Sequence, residues 1–194
     1  GNAGGSFATF LKKAGLDQIV IRGASSEKLY LFVDDGEVRL LDAQDLWGKS
    51  TWETTDALVA RHGKDVSVLA IGQAGENLVR FASAIVDRHN SAARGSGAVL
   101  GSKGLKAVVV RGKGTVAVAD PDSFGPLAAE DRNFMLNDPF QREVVAVIGS
   151  HIGMGHWFPG YRNNEKYLPE EEIPEELRPQ ALKKYEVRRT ACLG

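Results

Sequence analysis

Near Asp120-Pro121 the pattern of the chain changes, and this switch restricts the folds open to it more than any other feature. Before it, apolar runs of strand length lead. Residues 66–71 and 105–110 are short runs bounded by polar or glycine-rich stretches, the pattern of buried strands. Residues 29–33 and 37–41 flank Asp34-Asp35-Gly36, and an Asp-Gly pair supplies the positive φ angles of a tight hairpin. Residues 19–22 and 115–118 read as further strands, while 78–86 fits helix and strand equally. Two helices interrupt this part. One spans 4–15, with Phe7, Phe10 and Leu11 on one face and a glycine stop. The other spans 51–62, with Trp52, Leu58 and Val59 at helical spacing before Gly63. Past the switch, 123–137, 139–148 and 175–187 read as helices with no comparable strand alternation. The expectation is an α+β chain, with a β-rich domain over 1–119 and the beginning of an α-helical domain over 120–194. The glutamate run between Pro169 and Pro174 reads as a solvated connector.

Composition supports a packed core and excludes several partner classes. Of 194 residues, 43% are hydrophobic and 25% charged, with a net charge of −1 spread along the chain. No basic field for nucleic acid and no polybasic membrane patch exists. No apolar run approaches the roughly 20 residues of a membrane span. A soluble cytoplasmic protein is expected. The single cysteine, Cys192, cannot form an internal disulfide, which leaves a buried apolar residue or a ligand. The glycine-rich start without methionine, and the stop two residues after Cys192, read as a piece of a longer chain.

Clustered glycines occur in Gly1-Asn2-Ala3-Gly4-Gly5 and in the run from Ala92 to Lys103. Such segments let backbone groups converge on one ligand, which suits phosphate and pyrophosphate, although either could be a structural turn. The second is not a nucleotide P-loop, because its Ser102-Lys103 order is reversed and its glycines stand too close. No βαβ unit of dinucleotide spacing surrounds it.

With the stretches between them, these segments resemble the aldehyde ferredoxin oxidoreductase family of tungsten or molybdenum bis-pterin enzymes. The residues that carry the resemblance are collinear: GNAGG at the start, LDAQDLWGK from Leu41, IGQAGENLVRFA from Ile71, GAVLGSKGLKAVVVRG from Gly97, and the terminal TACLG. The likeness implies a β-rich domain on which a metal held by two pterin dithiolenes rests, covered by helical domains. It implies pterin contacts from Asn2, Ala3, Gly4 and Gly5. It also implies a magnesium ion joining the two pterin phosphates, held by backbone carbonyls of Asn2 and of Ala92 or Ala93; magnesium favours such hard oxygen ligands. Arg94, with the N–H groups around Gly95 and Gly97, would face phosphate or pterin oxygens. Many relatives carry an extra residue and an additional arginine in this loop, where His89-Asn90-Ser91 precedes Ala92 here, so Asn90 or Ser91 would substitute by hydrogen bonding. Cys192 stands where the family begins the cysteine run of a 4Fe-4S cluster, which a single thiolate cannot hold.

The aromatic segment around His156-Trp157-Phe158 is the candidate pocket wall. His156 is the candidate proton-transfer residue and His151 the second choice, the alternative for each being a capping or core histidine. His62 and His89 read as helix-end and loop residues. The activity implied by the resemblance is oxidation of aldehydes to carboxylic acids, with electrons leaving through the cluster to ferredoxin or another carrier. A second reading is the tungsten subunit of a class II benzoyl-CoA reductase, acting on an aryl-CoA, since a flat ring favours aromatic walls. A third is a cofactor-free binding or assembly domain. A homodimer or association with electron-transfer subunits would fit either enzyme.

Overall fold

The computed structural model describes residues 1–149, 174–177, 181 and 183–187. The chain divides into two compact units, the first Gly1–Ala117 and the second Val118–Thr190. The first is built on one six-stranded mixed sheet. Its strands are β1 (Leu29–Asp34), β2 (Glu37–Asp42), β3 (Ser67–Ala70), β4 (Ala84–Val86), β5 (Asn90–Ala92) and β6 (Leu105–Arg111), in the order β2-β1-β6-β3-β4-β5. Only the central β1–β6 pair is parallel; the other neighbours run antiparallel. The fold is α+β.

Both faces of the sheet are covered, which explains why its central strands carry apolar residues at consecutive positions. Tyr30, Phe32, Val68, Ala107 and Val109 enter one core with Leu46 and Leu58. Leu58 belongs to helix α2 (Thr51–His62), which starts at a reciprocal cap: Ser50 Oγ accepts the Glu53 N–H while Glu53 accepts the Ser50 N–H. Leu31, Val33, Val108 and Val110 enter the opposite core, against Phe7, Phe10 and Leu11 of helix α1 (Phe7–Lys13). The hairpin at Asp35-Gly36 has φ angles of 48° and 89°, the paired positive values its sequence requires.

Residues 19–22 and 115–118 do not form strands. Ile19 and Ile21 pack against the second core without pairing, so their alternation records burial of every other side chain rather than a ladder. Val116 and Val118 are exposed at 49% and 39%. Residues 78–86 resolve into turns followed by β4.

Two short helices were hidden by their glycines. Helix α3 (Gln73–Glu76) and helix α4 (Ser96–Ser102) pack through backbone: a Cβ built on Gly101 would lie 2.0 Å from Gly75 O, and one on Gly75 would lie 2.9 Å from Gly97 O. Residue types larger than glycine cannot make this approach. A buried pair holds α3 to the sheet: Lys106 of β6 is fully buried and its Nζ donates to Glu76 and, at 2.8 Å, to the Lys49 carbonyl. The Glu76 carboxylate also accepts the Gly48 N–H, at 2.9 and 3.0 Å to its two oxygens.

The second unit holds helix α5 (Pro121–Asn137), capped by Asp120 accepting from the Ser123 N–H, then a π-helical stretch at Phe140–Val145 and helix α6 (Ala146–Ile148). The described part of 175–187 contains 3-10 turns at Glu175–Leu177 and Lys183–Tyr185. None of the described helices is long and apolar enough to cross a membrane.

Candidate functional site

The two glycine segments, far apart in the chain, meet at one edge of the sheet. A Cβ on Gly1 would lie 2.4 Å from the Ala93 carbonyl oxygen. A Cβ on Gly5 would lie 2.7 Å from Asn90 Nδ2 and 3.2 Å from Val86 Cγ1. Residues 1–5 therefore run alongside 90–93, Gly5 beside Asn90 and Gly1 beside Ala93. Approach this close requires glycine at Gly1, since any side chain would strike backbone rather than a movable group.

Edge strand β5 leads directly into this meeting point. Ala92 is half-buried, and its carbonyl accepts the Ser96 hydroxyl, whose oxygen in turn accepts the Ala84 N–H at 3.0 Å. Ala93 and Arg94 are exposed. Arg94 and Gly95 have φ angles of 67° and 85°, a left-handed pair that turns the chain from β5 into α4. Asn2, Ala3 and Gly4 are exposed on the facing segment. The arrangement thus brings the backbone of both segments together, with exposed Arg94 one residue after Ala93. Hard carbonyl oxygens suit a magnesium ion, and a guanidinium suits a phosphate.

Gly97 does something else. It is buried, its N–H donates to the Ala82 carbonyl at 2.9 Å, and a Cβ there would lie 2.8 Å from Ser83 O. That N–H is engaged within the fold, and the missing side chain permits close packing against Ala82 and Ser83. His156, His151 and Cys192 lie outside the described residues.

A polar junction invisible to motif reading fixes the start of the turn between β4 and β5. Asp87, at φ 47°, accepts the Val68 N–H at 2.8 Å on Oδ1. Its Oδ2 accepts the hydroxyl of buried Ser67, at 2.7 Å, and that of Ser6. Ser6 precedes α1 at its N-cap yet makes no side-chain cap bond. The sequence separation of 81 between Ser6 and Asp87 hides the contact from sequence reading, where Asp87 is simply one polar loop residue.

His62 closes α2 as a helix-end residue. Its Nε2 lies 3.0 Å from the Tyr30 hydroxyl and its ring centroid 4.0 Å from that of Phe32. Burial, then the Arg111, Arg61 and Arg39 charges, lowers its pKa from the usual value near 6.5, with Asp34 opposing.

Comparison with known proteins gives one consistent assignment. Residues 1–112 match the family model of the aldehyde ferredoxin oxidoreductase N-terminal domain. Over 153 residues, 78% of this chain, the sequence is 42% identical to the tungsten-containing aldehyde ferredoxin oxidoreductase of Pyrococcus furiosus. Identity to the protein of the same description from Thermococcus kodakarensis is 44% over the same length. The matched region is 25% of each of these proteins, so the chain spans about a quarter of their length. Among solved structures, the active-site complex BamBC of benzoyl coenzyme A reductase, in complex with 1,5-dienoyl-CoA, is similar at a TM-score of 0.74 and 32% identity. That match covers 94% of this chain and 30% of the other.

Proposed function

Because the chain belongs to the aldehyde ferredoxin oxidoreductase family, we propose that it is the part of a tungsten oxidoreductase that seats a bis-pterin metal centre, and that the whole protein oxidises aldehydes to carboxylic acids. The observation that carries this reading is the backbone-to-backbone approach of residues 1–5 to 90–93, with Gly1 against the Ala93 carbonyl. The residues present fit the group. In this reading the Asn2 carbonyl and the carbonyl of Ala93 or Ala92 would hold a magnesium ion, which would offset the charge of the pterin phosphates. Both carbonyls stay in the proposal: that of Ala92 accepts the Ser96 hydroxyl and keeps a second lone pair, and that of Ala93 lies beside Gly1. Ala3, Gly4, Gly5 and Gly95 offer backbone contacts to pterin, and the Arg94 guanidinium pairs with a phosphate.

When bound, the metal centre supplies two-electron redox chemistry at the substrate carbon. The residues of this chain would contact the centre from one side, where residues 1–5 lie against residues 90–93 at the sheet edge. Residues 1–119 form the seat in this proposal, and 120–194 begin the helical part of the protein. Cys192 is proposed as the first ligand of a 4Fe-4S cluster passing electrons to ferredoxin or a similar carrier, and His156 as a proton-transfer residue.

Reduction of an aryl-CoA is the second reading, favoured by the likeness to BamBC over 94% of this chain. The higher identity to the aldehyde oxidoreductases, 42% and 44% against 32%, supports taking aldehyde oxidation as the first reading. The test is the full-length protein produced with tungstate. Tungsten and pterin in the purified protein, with aldehyde-dependent reduction of a viologen dye, are the expected result. A folded full-length protein without tungsten or molybdenum overturns both readings, and dearomatisation of an aryl-CoA without aldehyde oxidation replaces the first by the second.

A further inference from the structure

We propose that Asp87 is a positioning residue for the cofactor seat, acting through Ser6 to set the spacing between residues 1–5 and 90–95. As regards the ligand, this rests on the reading given under Proposed function.

Asp87 is built into the sheet on one side. Its N–H donates to the Val68 carbonyl at 2.9 Å and its Oδ1 accepts the Val68 N–H at 2.8 Å, so backbone and side chain together extend the β3–β4 ladder by one step. Its other oxygen gathers two hydroxyls, from Ser67 and Ser6. Each hydroxyl has one proton to give, and a carboxylate oxygen can accept both. Ser67 belongs to β3 and Ser6 to the segment before α1. One carboxylate thus joins the sheet, the turn that feeds β5, and the chain leaving the glycine segment.

Helix α1 does not need Ser6 to stay on the sheet. Phe7, Phe10 and Leu11 pack against the second core, and the Gly114 N–H donates to the Lys13 carbonyl at 3.1 Å. What the Ser6 bond adds is the placement of the residues before the helix. Gly5 follows at Asn90 and Gly1 at Ala93, so a shift at Ser6 carries through the whole of residues 1–5. Ser6 gives its hydroxyl to Asp87 in place of the cap bond that a serine here commonly makes. Residues that orient ligand-holding groups from behind commonly change metal retention by about 10-fold or more when removed.

The experiment uses full-length protein with Ser6→Ala, Ser6→Thr and Asp87→Asn. Two readouts are followed: tungsten and pterin retained during incubation with a chelator, and amide hydrogen exchange at residues 2–5 and 92–95 in protein prepared without tungsten. Ser6→Ala is expected to release the cofactor roughly 10-fold faster and to speed exchange in both segments, with Tm nearly unchanged because the Asp87 bonds to β3 survive. Ser6→Thr restores the hydroxyl and both properties. Asp87→Asn keeps an oxygen for the Val68 N–H but turns an amide NH2 towards the Ser6 and Ser67 hydroxyls, which must then accept instead of donate, so it is expected to loosen the Ser6 link at most as much as Ser6→Ala does. Wild-type retention and exchange in Ser6→Ala, or failure of Ser6→Thr to rescue, overturns the proposal. If wild-type full-length protein takes up no tungsten, the functional reading fails instead. The exchange measurement then decides the positioning role alone: faster exchange in Ser6→Ala upholds it and unchanged exchange overturns it.

Discussion

Glycine serves two unlike purposes in this chain, and only coordinates separate them. At Gly1 the missing side chain lets one exposed segment lie against the Ala93 carbonyl; at Gly101 it lets α4 lie against Gly75 of α3. Gly101→Ala puts a carbon 2.0 Å from a backbone oxygen, so the two helices must separate. The expected cost is about 1–3 kcal/mol, as for other overpacked sites, read from the urea midpoint of the chain. In the full-length protein, Gly1→Ala is expected to lower tungsten content, while Asn2→Ala leaves it unchanged because the Asn2 carbonyl, not its amide, is the proposed ligand. Loss of metal in Asn2→Ala would remove that assignment. His62 supplies a residue-scale pH effect. Its folded pKa is depressed by burial and by Arg111, Arg61 and Arg39, so below about 6.5 the unfolded state binds more protons than the native one. Stability present above that value is lost as pH falls through the folded pKa. His62→Gln is expected to flatten this acid slope in urea midpoints measured across the range.

Elements were legible where local chemistry decides them. Helix α2 announces itself by Trp52, Leu58 and Val59 at helical spacing and Gly63 at its stop, and the β1–β2 hairpin by Asp35-Gly36; the Ser50–Glu53 cap came only with the structure. Ser50→Ala removes the oxygen that accepts the Glu53 N–H, and a loss of about 1 kcal/mol is expected in denaturant titration. Glu53 has its pKa lowered by hydrogen bonds from Ser50, so the cap weakens as pH falls through that depressed value, and the acid limb of wild type should be steeper than that of Ser50→Ala. Elements set by distant contacts were not legible. The β4–β5 turn uses Asp87 and Arg88, with φ angles of 47° and 71°, in place of a glycine signature. Helix α4 carries glycines that lower its intrinsic propensity, and packing on α3 overrides this. The same limit applied to the candidate site. Its glycine turns, Ala93 and Arg94 could be named from motif likeness, whereas Asp87 and Ser6 belong to no motif and become visible only once the sheet brings them together.

Across the first unit, the proposed seat depends on an inner frame that never touches it. Lys106 on central strand β6 reaches Glu76 of α3 and the Lys49 carbonyl, and α3 in turn carries α4, whose first turn follows Arg94 and Gly95. A buried pair of this kind contributes little relative to a well-packed apolar pair, but breaking it leaves one charge stranded. Lys106→Met or Glu76→Gln alone is therefore expected to cost about 3–5 kcal/mol. The double variant should cost clearly less than the sum, because no charge remains unpaired and the amide oxygen introduced by Glu76→Gln can still accept the Gly48 N–H. Burial lowers the Lys106 pKa, with the Glu76 hydrogen bond opposing it. Between that lowered value and 10.5 the unfolded chain binds the extra proton, so wild-type stability rises with pH across this window and Lys106→Met should lose the rise. A double-mutant cycle in urea, at neutral pH and again in the alkaline window, measures both effects. Additive single costs would mean that Lys106 and Glu76 support the frame independently and that the link from β6 to α4 runs through packing alone.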